Sequence, residues 1–91
     1  MFEDETKSAT RTEIPLQELV EYMARGLVTR PDDVRVSTSQ KGDMLVYEVR
    51  VADEDKGRVI GKNGRTAKAL RAIVGAAATK AEQKATVEII D

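Results

Sequence analysis

The sequence predicts an α+β domain in which three helices cover one face of a three-stranded mixed sheet. Two stretches carry apolar residues at helical spacing, one near the start of the chain and one near its end. Between them, two alternating stretches flank a Lys-Gly-Asp turn, and a further alternating stretch closes the chain. With a short helix before the longer one, the element order is helix, strand, strand, helix, helix, strand.

The first helix is predicted to begin near Pro15, where the missing N–H of a proline costs little. Arg30-Pro31 ends it, because the residue before a proline avoids the α region. Residues 1–12 lack periodicity, so we expect a disordered tail there and a folded domain over residues 13–91. Five apolar residues follow the helical spacing and are expected to pack mostly on the sheet: Leu16, Leu19, Val20, Met23 and Leu27.

The two central strands are predicted to form an antiparallel hairpin around a turn at residues 41–43. In the first strand, Val34, Val36 and Thr38 alternate with polar residues. The inward face of the second strand is predicted to consist of Leu45, Tyr47, Val49 and Val51. Strand alternation leaves three apolar side chains on the opposite face, where we expect them to be exposed: Met44, Val46 and Ile90.

Two helices and a strand complete the predicted domain. Asp53 can cap a short helix that ends at Gly61. A longer helix spans roughly residues 65–81, and residues 86–90 form a last strand. A right-handed crossover would place that strand parallel to the second one. The buried stripe of the long helix is predicted to be Ala67, Leu70, Val74, Ala77 and Ala81.

Composition excludes several classes of function. The chain has no cysteine and no histidine, which excludes thiol nucleophiles, the usual zinc sites and histidine acid–base chemistry. With no tryptophan, one phenylalanine and two tyrosines, base stacking on an aromatic platform is not expected. No apolar stretch approaches the length of a membrane span, and the acidic start does not resemble a signal peptide. We therefore expect a cytoplasmic protein without a cofactor and without a membrane partner.

Charge is distributed unevenly along the chain, although the net charge is only −1. Residues 1–55 carry seven basic and thirteen acidic side chains, whereas residues 56–81 carry seven basic and no acidic ones. The ordinary interpretation of a charged run is a solvated helix face, but such faces generally mix both signs. A local cationic face on an acidic body favours phosphate binding.

The most informative segment is residues 56–71, in which six of sixteen residues are basic. At its centre, the apolar pair Val59-Ile60 precedes a Gly-x-x-Gly sequence from Gly61 to Gly64. Glycine has no Cβ and tolerates positive φ, so such a loop allows close approach of a phosphate backbone. The N–H groups of a helix starting at Arg65 would also favour an anion there.

Other motifs do not fit the spacing. A phosphate-binding Walker A loop needs four residues between its first two glycines, whereas three separate Gly57 from Gly61. A dinucleotide-binding Gly-x-Gly-x-x-Gly sequence is absent. The carboxylates at residues 32–33 and 53–55 lie at predicted element boundaries, where acidic residues cap helices and solvate turns. We therefore expect no enzyme activity and no metal site.

The sequence Val-Ile-Gly-Lys-Asn-Gly-Arg between two helices, within this element order, resembles a type II KH domain. Four segments resemble more closely the small bacterial single-KH proteins of the KhpA family: residues 19–22, 31–34, 57–71 and 87–91. That resemblance implies cytoplasmic RNA binding, a homodimer, and partnership with a second KH protein of the KhpB (Jag) type. The family often has glutamine at the position of Asn63. Both side chains are short amides, so the difference does not change the expectation of RNA binding.

The resemblance also implies which residues bind RNA. Gly61 and Gly64 are the fixed glycines of the GXXG loop, and Lys62 and Asn63 are the variable pair presented to phosphates. Helix capping is the alternative role for each glycine, and the same sharp turn can serve both capping and RNA binding. Ile60 is placed in the apolar floor of the groove, although a core position is its alternative. The phosphate contacts are expected to be Arg58, Lys62, Arg65 and Lys68, with Lys56, Arg71 and Lys80 peripheral.

Two functions are open on the sequence. The first is an RNA-binding module, an RNA chaperone or post-transcriptional regulator, that grips about four nucleotides of single-stranded RNA. The second is an assembly protein that uses the KH fold to dimerise or to bind a second KH protein, with RNA contact secondary. The intact and basic loop favours the first.

Overall fold

The computed structural model describes residues 15–90, so the tail predicted over residues 1–12 lies outside the described part of the chain. The first helix is α1, Leu16–Leu27. Two strands follow, β1 at Arg35–Lys41 and β2 at Met44–Arg50. The chain then forms the short α2, Lys56–Ile60, and the long α3, Arg65–Lys80. It ends in β3, Ala85–Ile89, which confirms the predicted order of elements.

The sheet has the order β1-β2-β3, with β2 in the centre. Strands β1 and β2 pair antiparallel, with Thr38 opposite Tyr47, across a turn in which Gly42 has a φ of +62°. Strand β3 pairs parallel to β2, with Val87 beside Tyr47. The prediction of a mixed sheet whose last strand lies parallel to the second is therefore confirmed.

The core forms between the helices and one face of the sheet. The two long helices meet the sheet through small or branched residues, which allow close packing of helix against strand. The buried residues of the core come from both long helices and from the sheet: Val20 and Ala24 of α1, Val34 before the sheet, Tyr47 and Val49 of β2, Val74 and Ala78 of α3, and Ala85 and Val87 of β3.

The predicted buried stripes of the helices need correction at single positions. In α1, Leu19 and Leu27 are only half-buried and do not join the core, whereas Ala24 is fully buried. In α3, Ala78 is buried in place of Ala77 and Ala81. The physical reason is the helical period of 3.6 residues, which carries the face of Ala67 and Val74 on to position 78.

The prediction that Val46 is exposed is wrong, since only 1% of its surface is accessible. Met44 and Ile90 are half-buried rather than exposed. Val46 lies on the central strand, and Ser39 of β1 and Thr86 of β3 flank it and reduce its exposure from the sides. Alternation identifies the face on which a side chain lies, but the accessible surface also depends on the neighbouring strands.

Candidate nucleic-acid interface

The loop between α2 and α3 has the geometry of a tight left-handed turn. Gly61 ends α2 with φ +79° and ψ 167°, and Gly64 precedes α3 with φ +74°. The N–H of Gly61 donates to Gly57 O at 2.8 Å, and the N–H of Gly64 donates to Gly61 O at 3.0 Å. The helix-cap role of the two glycines is therefore confirmed, and the turn presents residues 62 and 63 at its tip.

Gly61 is required by two independent features of the backbone. Its φ and ψ lie in a region that is essentially restricted to glycine. In addition, a Cβ at this position would collide with Thr66 Oγ1 and would lie 2.7 Å from Thr66 Cβ and 2.8 Å from Thr66 N. At Gly64, by contrast, a Cβ would meet no atom within 4 Å. Gly61 packs the loop against the first turn of α3, and Gly64 only supplies a left-handed residue.

Asn63 also adopts a left-handed conformation, with φ +58° and ψ 25°. Asparagine reaches this region more readily than most side chains because its short amide can hydrogen-bond locally. The sequence indicated a side chain presented to phosphates at this position, for which an amide of either length would serve. The backbone supplies a further reason for the shorter residue.

Three of the predicted phosphate contacts are exposed cations around this turn. Lys62 lies in the loop, and Arg65 and Lys68 lie on the first turn of α3, on the side away from the buried Ala67 and Leu70. Within residues 15–90, none of the three cations has an ion-pair or hydrogen-bond partner. A positive potential therefore surrounds the N-terminal end of α3, whose free N–H groups have the same sign.

The other basic residues between positions 56 and 81 have acidic or carbonyl partners, with one exception. Lys56 pairs with Asp53 at 3.1 Å, and the Nε of Arg71 donates to Val87 O at 3.1 Å. Arg58, a predicted phosphate contact, has its Nε 3.5 Å from the carboxylate of Asp55. The exception is Lys80, which is exposed at the far end of α3.

The two apolar residues at the end of α2 differ in burial. Val59 is fully buried and belongs to the core. Ile60 is 41% exposed beside the loop, so the core alternative for Ile60 is wrong and the side chain is accessible to a ligand. A Cβ at the neighbouring Gly57 would meet no atom within 4 Å. The surface beside Arg58 is consequently open.

Sequence analysis missed the buried carboxylate of Asp55. It accepts hydrogen bonds from the N–H and hydroxyl of Thr29, at 3.1 and 2.9 Å, and from the N–H of Arg30 at 3.1 Å. Burial by itself would raise the pKa of Asp55, but these hydrogen bonds and the charge of Arg58 outweigh burial and lower it. Asp55 therefore stays ionised and joins the end of α1 to the start of α2. Asp53, the predicted cap, makes no capping hydrogen bond.

An apolar groove lies between α1 and α3, on a different side of α3 from Lys68. Its volume is about 640 Å³, and it includes two large exposed side chains, Tyr22 at 78% and Ile73 at 48%. Leu27 lines this groove, which explains why it does not join the core. The other lining residues are Met23, Arg25, Gly26, Thr66, Ala69 and Leu70.

Two classes of site are not found in the part of the chain that the structure describes. Residues 15–90 contain no group of three or more acidic side chains that could hold a metal ion. No helix among these residues is long and apolar enough to cross a membrane.

Comparison with known proteins gives a consistent result. The family model described as "KhpA/KhpB, KH domain" matches residues 17–89. RNA-binding protein KhpA of Halalkalibacterium halodurans is 53% identical over 76 residues, which cover 84% of this chain and all of that relative. RNA-binding protein KhpA of Clostridium perfringens is 48% identical over 75 residues, 82% of this chain and all of the relative. No solved structure matches this chain significantly.

A third relative is similar over a shorter stretch. RNA-binding protein KhpA of Streptomyces coelicolor is 51% identical over 61 residues, which cover 67% of this chain and 77% of the relative. These relatives carry the name of an RNA-binding protein and not that of an enzyme.

Proposed function

The chain belongs to the KhpA/KhpB family of KH-domain proteins, and from this premise we propose that it binds single-stranded RNA through the Gly61–Gly64 loop. The observation that carries the proposal is the set of exposed, unpaired cations around a glycine turn at the start of α3. Phosphates would lie against Lys62, Arg65 and the N–H groups of the turn. Arg58 and Lys68 would extend this contact along the strand.

The same geometry suggests how bases are accommodated. Ile60 provides an exposed apolar surface next to the phosphate contacts, where a base can pack without an aromatic platform. A KH loop of this kind holds about four nucleotides, so a single domain should bind weakly. Weak contact with short strands suits an RNA chaperone or post-transcriptional regulator in the cytoplasm, and we include both in the proposal.

Salt dependence of affinity tests this function. On a single strand, log affinity falls with log salt by about 0.7 per phosphate contact. We expect a slope that corresponds to roughly two to four contacts between about 50 and 200 mM salt, measured by fluorescence anisotropy with a short labelled RNA. Arg65→Ala should reduce the slope by about one contact. Lys80→Ala, on the same helix but distant from the loop, is the matched control and should leave the slope unchanged. An affinity independent of salt would contradict the proposal.

A second candidate function, assembly, is favoured by the apolar groove of Tyr22 and Ile73. We propose that a second copy of the chain packs there, since the family resemblance implies a dimer and two linked domains gain avidity for RNA. A KhpB-type partner is the alternative occupant. Burying these two side chains removes a large apolar area from water.

Sedimentation velocity at micromolar protein tests the assembly proposal. Wild type should sediment as a dimer, and Ile73→Glu should sediment as a monomer because a charge would be buried in the interface. Thr79→Glu, exposed on the same helix but about 120° around it from Ile73, is the control and should remain a dimer. A wild-type monomer with and without RNA would contradict self-association and leave the RNA proposal untouched.

A further inference from the structure

Asp55 is the one buried charged residue in the described part of the chain. Its two carboxylate oxygens have different partners. Oδ1 accepts hydrogen bonds from the N–H and the hydroxyl of Thr29, and Oδ2 accepts one from the N–H of Arg30. The side chain of Arg30 is occupied separately, by Asp33 at 3.1 Å and Glu54 at 3.2 Å. Arg58 is therefore the side-chain cation that neutralises Asp55.

The ion pair with Asp55 involves one particular nitrogen of Arg58. The ion pair joins Asp55 Oδ1 to the Nε of Arg58, which is the inner nitrogen of the guanidinium. The side chain of Arg58 is nevertheless 59% exposed, and no described residue bonds to its two terminal nitrogens. An ion pair made through Nε leaves the two terminal nitrogens available, and these donors form the fork that matches a phosphate.

The position of Arg58 places these donors near the loop. Arg58 precedes Gly61 by three residues on α2, a rise of about 4.5 Å along a helix. The neighbouring Gly57 leaves the surface open, since nothing lies within 4 Å of where its Cβ would be. A strand that leaves the loop toward α2 would meet the fork of Arg58 without a steric barrier.

We propose that Asp55 is a positioning residue for RNA binding: by fixing Nε of Arg58, it directs the two terminal nitrogens of Arg58 toward a phosphate of the bound strand. This inference rests on the proposed function of the loop. The competing explanation is that Asp55 only holds the Thr29–Arg30 turn against α2. The two differ in whether the effect of Asp55 on affinity depends on Arg58.

A double-mutant cycle separates them, with affinity measured on a short fluorescein-labelled single-stranded RNA well below the melting temperature of each variant. Asp55→Asn and Arg58→Ala should each weaken binding about three- to tenfold. Adding Asp55→Asn to Arg58→Ala should cause no further loss, and the salt slope should drop by about one contact in all three variants. Equal losses in both backgrounds, or unchanged affinity in a folded Asp55→Asn variant, would overturn the proposal.

Arg58→Lys provides a test that does not depend on the folding of Asp55→Asn, because the Arg58 side chain is largely exposed. A lysine keeps the charge but lacks the fork, so we expect it to lose most of the affinity that Arg58→Ala loses. A lysine that binds as well as arginine would overturn the proposal. The salt slopes of wild type and of Arg65→Ala test RNA binding by the loop independently. If these slopes show the expected loop contacts but the Arg58 variants bind as wild type does, the proposal for Asp55 is wrong and the proposal for the loop stands.

Discussion

A variant that carries both Lys62→Asp and Asn63→Asp is expected to lose RNA binding, with affinity reduced about 100-fold or more. The tip of the turn would then present two carboxylates, instead of one ammonium and one amide, to the phosphates of the strand. The fold should be retained because both side chains are exposed and an aspartate also tolerates the left-handed backbone at position 63. Acidic residues before α3 are moreover favourable for its dipole.

The measurement is anisotropy with a labelled single-stranded RNA, accompanied by circular dichroism and a thermal melt. A matched control makes the same change of net charge at the other end of α3 through Lys80→Asp and Gln83→Asp, both at exposed positions. That control should bind much as wild type does, apart from a small long-range effect of charge. If the double loop variant binds as tightly as wild type, RNA does not contact residues 62 and 63.

Much of the fold could be predicted because periodicity and chain breakers act locally. Gly61 ends α2 for a steric reason that involves only adjacent residues, as predicted. The predicted end of α1 at Arg30-Pro31 needs correction, because α1 already ends at Leu27, before the proline can restrict it. The burial of Val46 could not be predicted in this way. Alternation identifies only the face of the sheet on which Val46 lies, and its neighbour Thr86 in β3 lies about forty residues later in the chain.

In the candidate site, too, the features set by adjacent residues could be predicted, and those set by distant residues could not. The cations and glycines of the loop are contiguous in sequence, so their spacing already indicated a phosphate-binding turn. The contact of Asp55 with Thr29 joins residues 26 positions apart, and an isolated aspartate after two other acidic residues gives no periodic signal. The run of three carboxylates was itself a signal, since adjacent carboxylates repel one another and each needs its own partner.

Gly61→Ala is expected to be the most damaging single substitution in the loop. The new Cβ would collide with Thr66, and alanine would have to adopt φ +79° with ψ 167°, which costs about 1–3 kcal/mol before any collision. Steric overlap adds about 1–3 kcal/mol, and the melting temperature should fall by about 4–8 °C for each kcal/mol. The loop would have to move away from the first turn of α3, so RNA affinity should fall even at temperatures where the variant is folded.

Gly64→Ala is the matched control, because it introduces the same methyl group at a left-handed residue with open space around it. Only the backbone strain applies there, about 1–2 kcal/mol, so its melting temperature should lie clearly above that of Gly61→Ala. Adding Thr66→Ala to Gly61→Ala should restore little stability, since the Cβ and backbone N of residue 66 remain 2.7 and 2.8 Å from the new methyl group. Equal destabilisation by the two glycine substitutions would show that contact with Thr66 does not restrict position 61, and the loop would then be held only by its left-handed backbone.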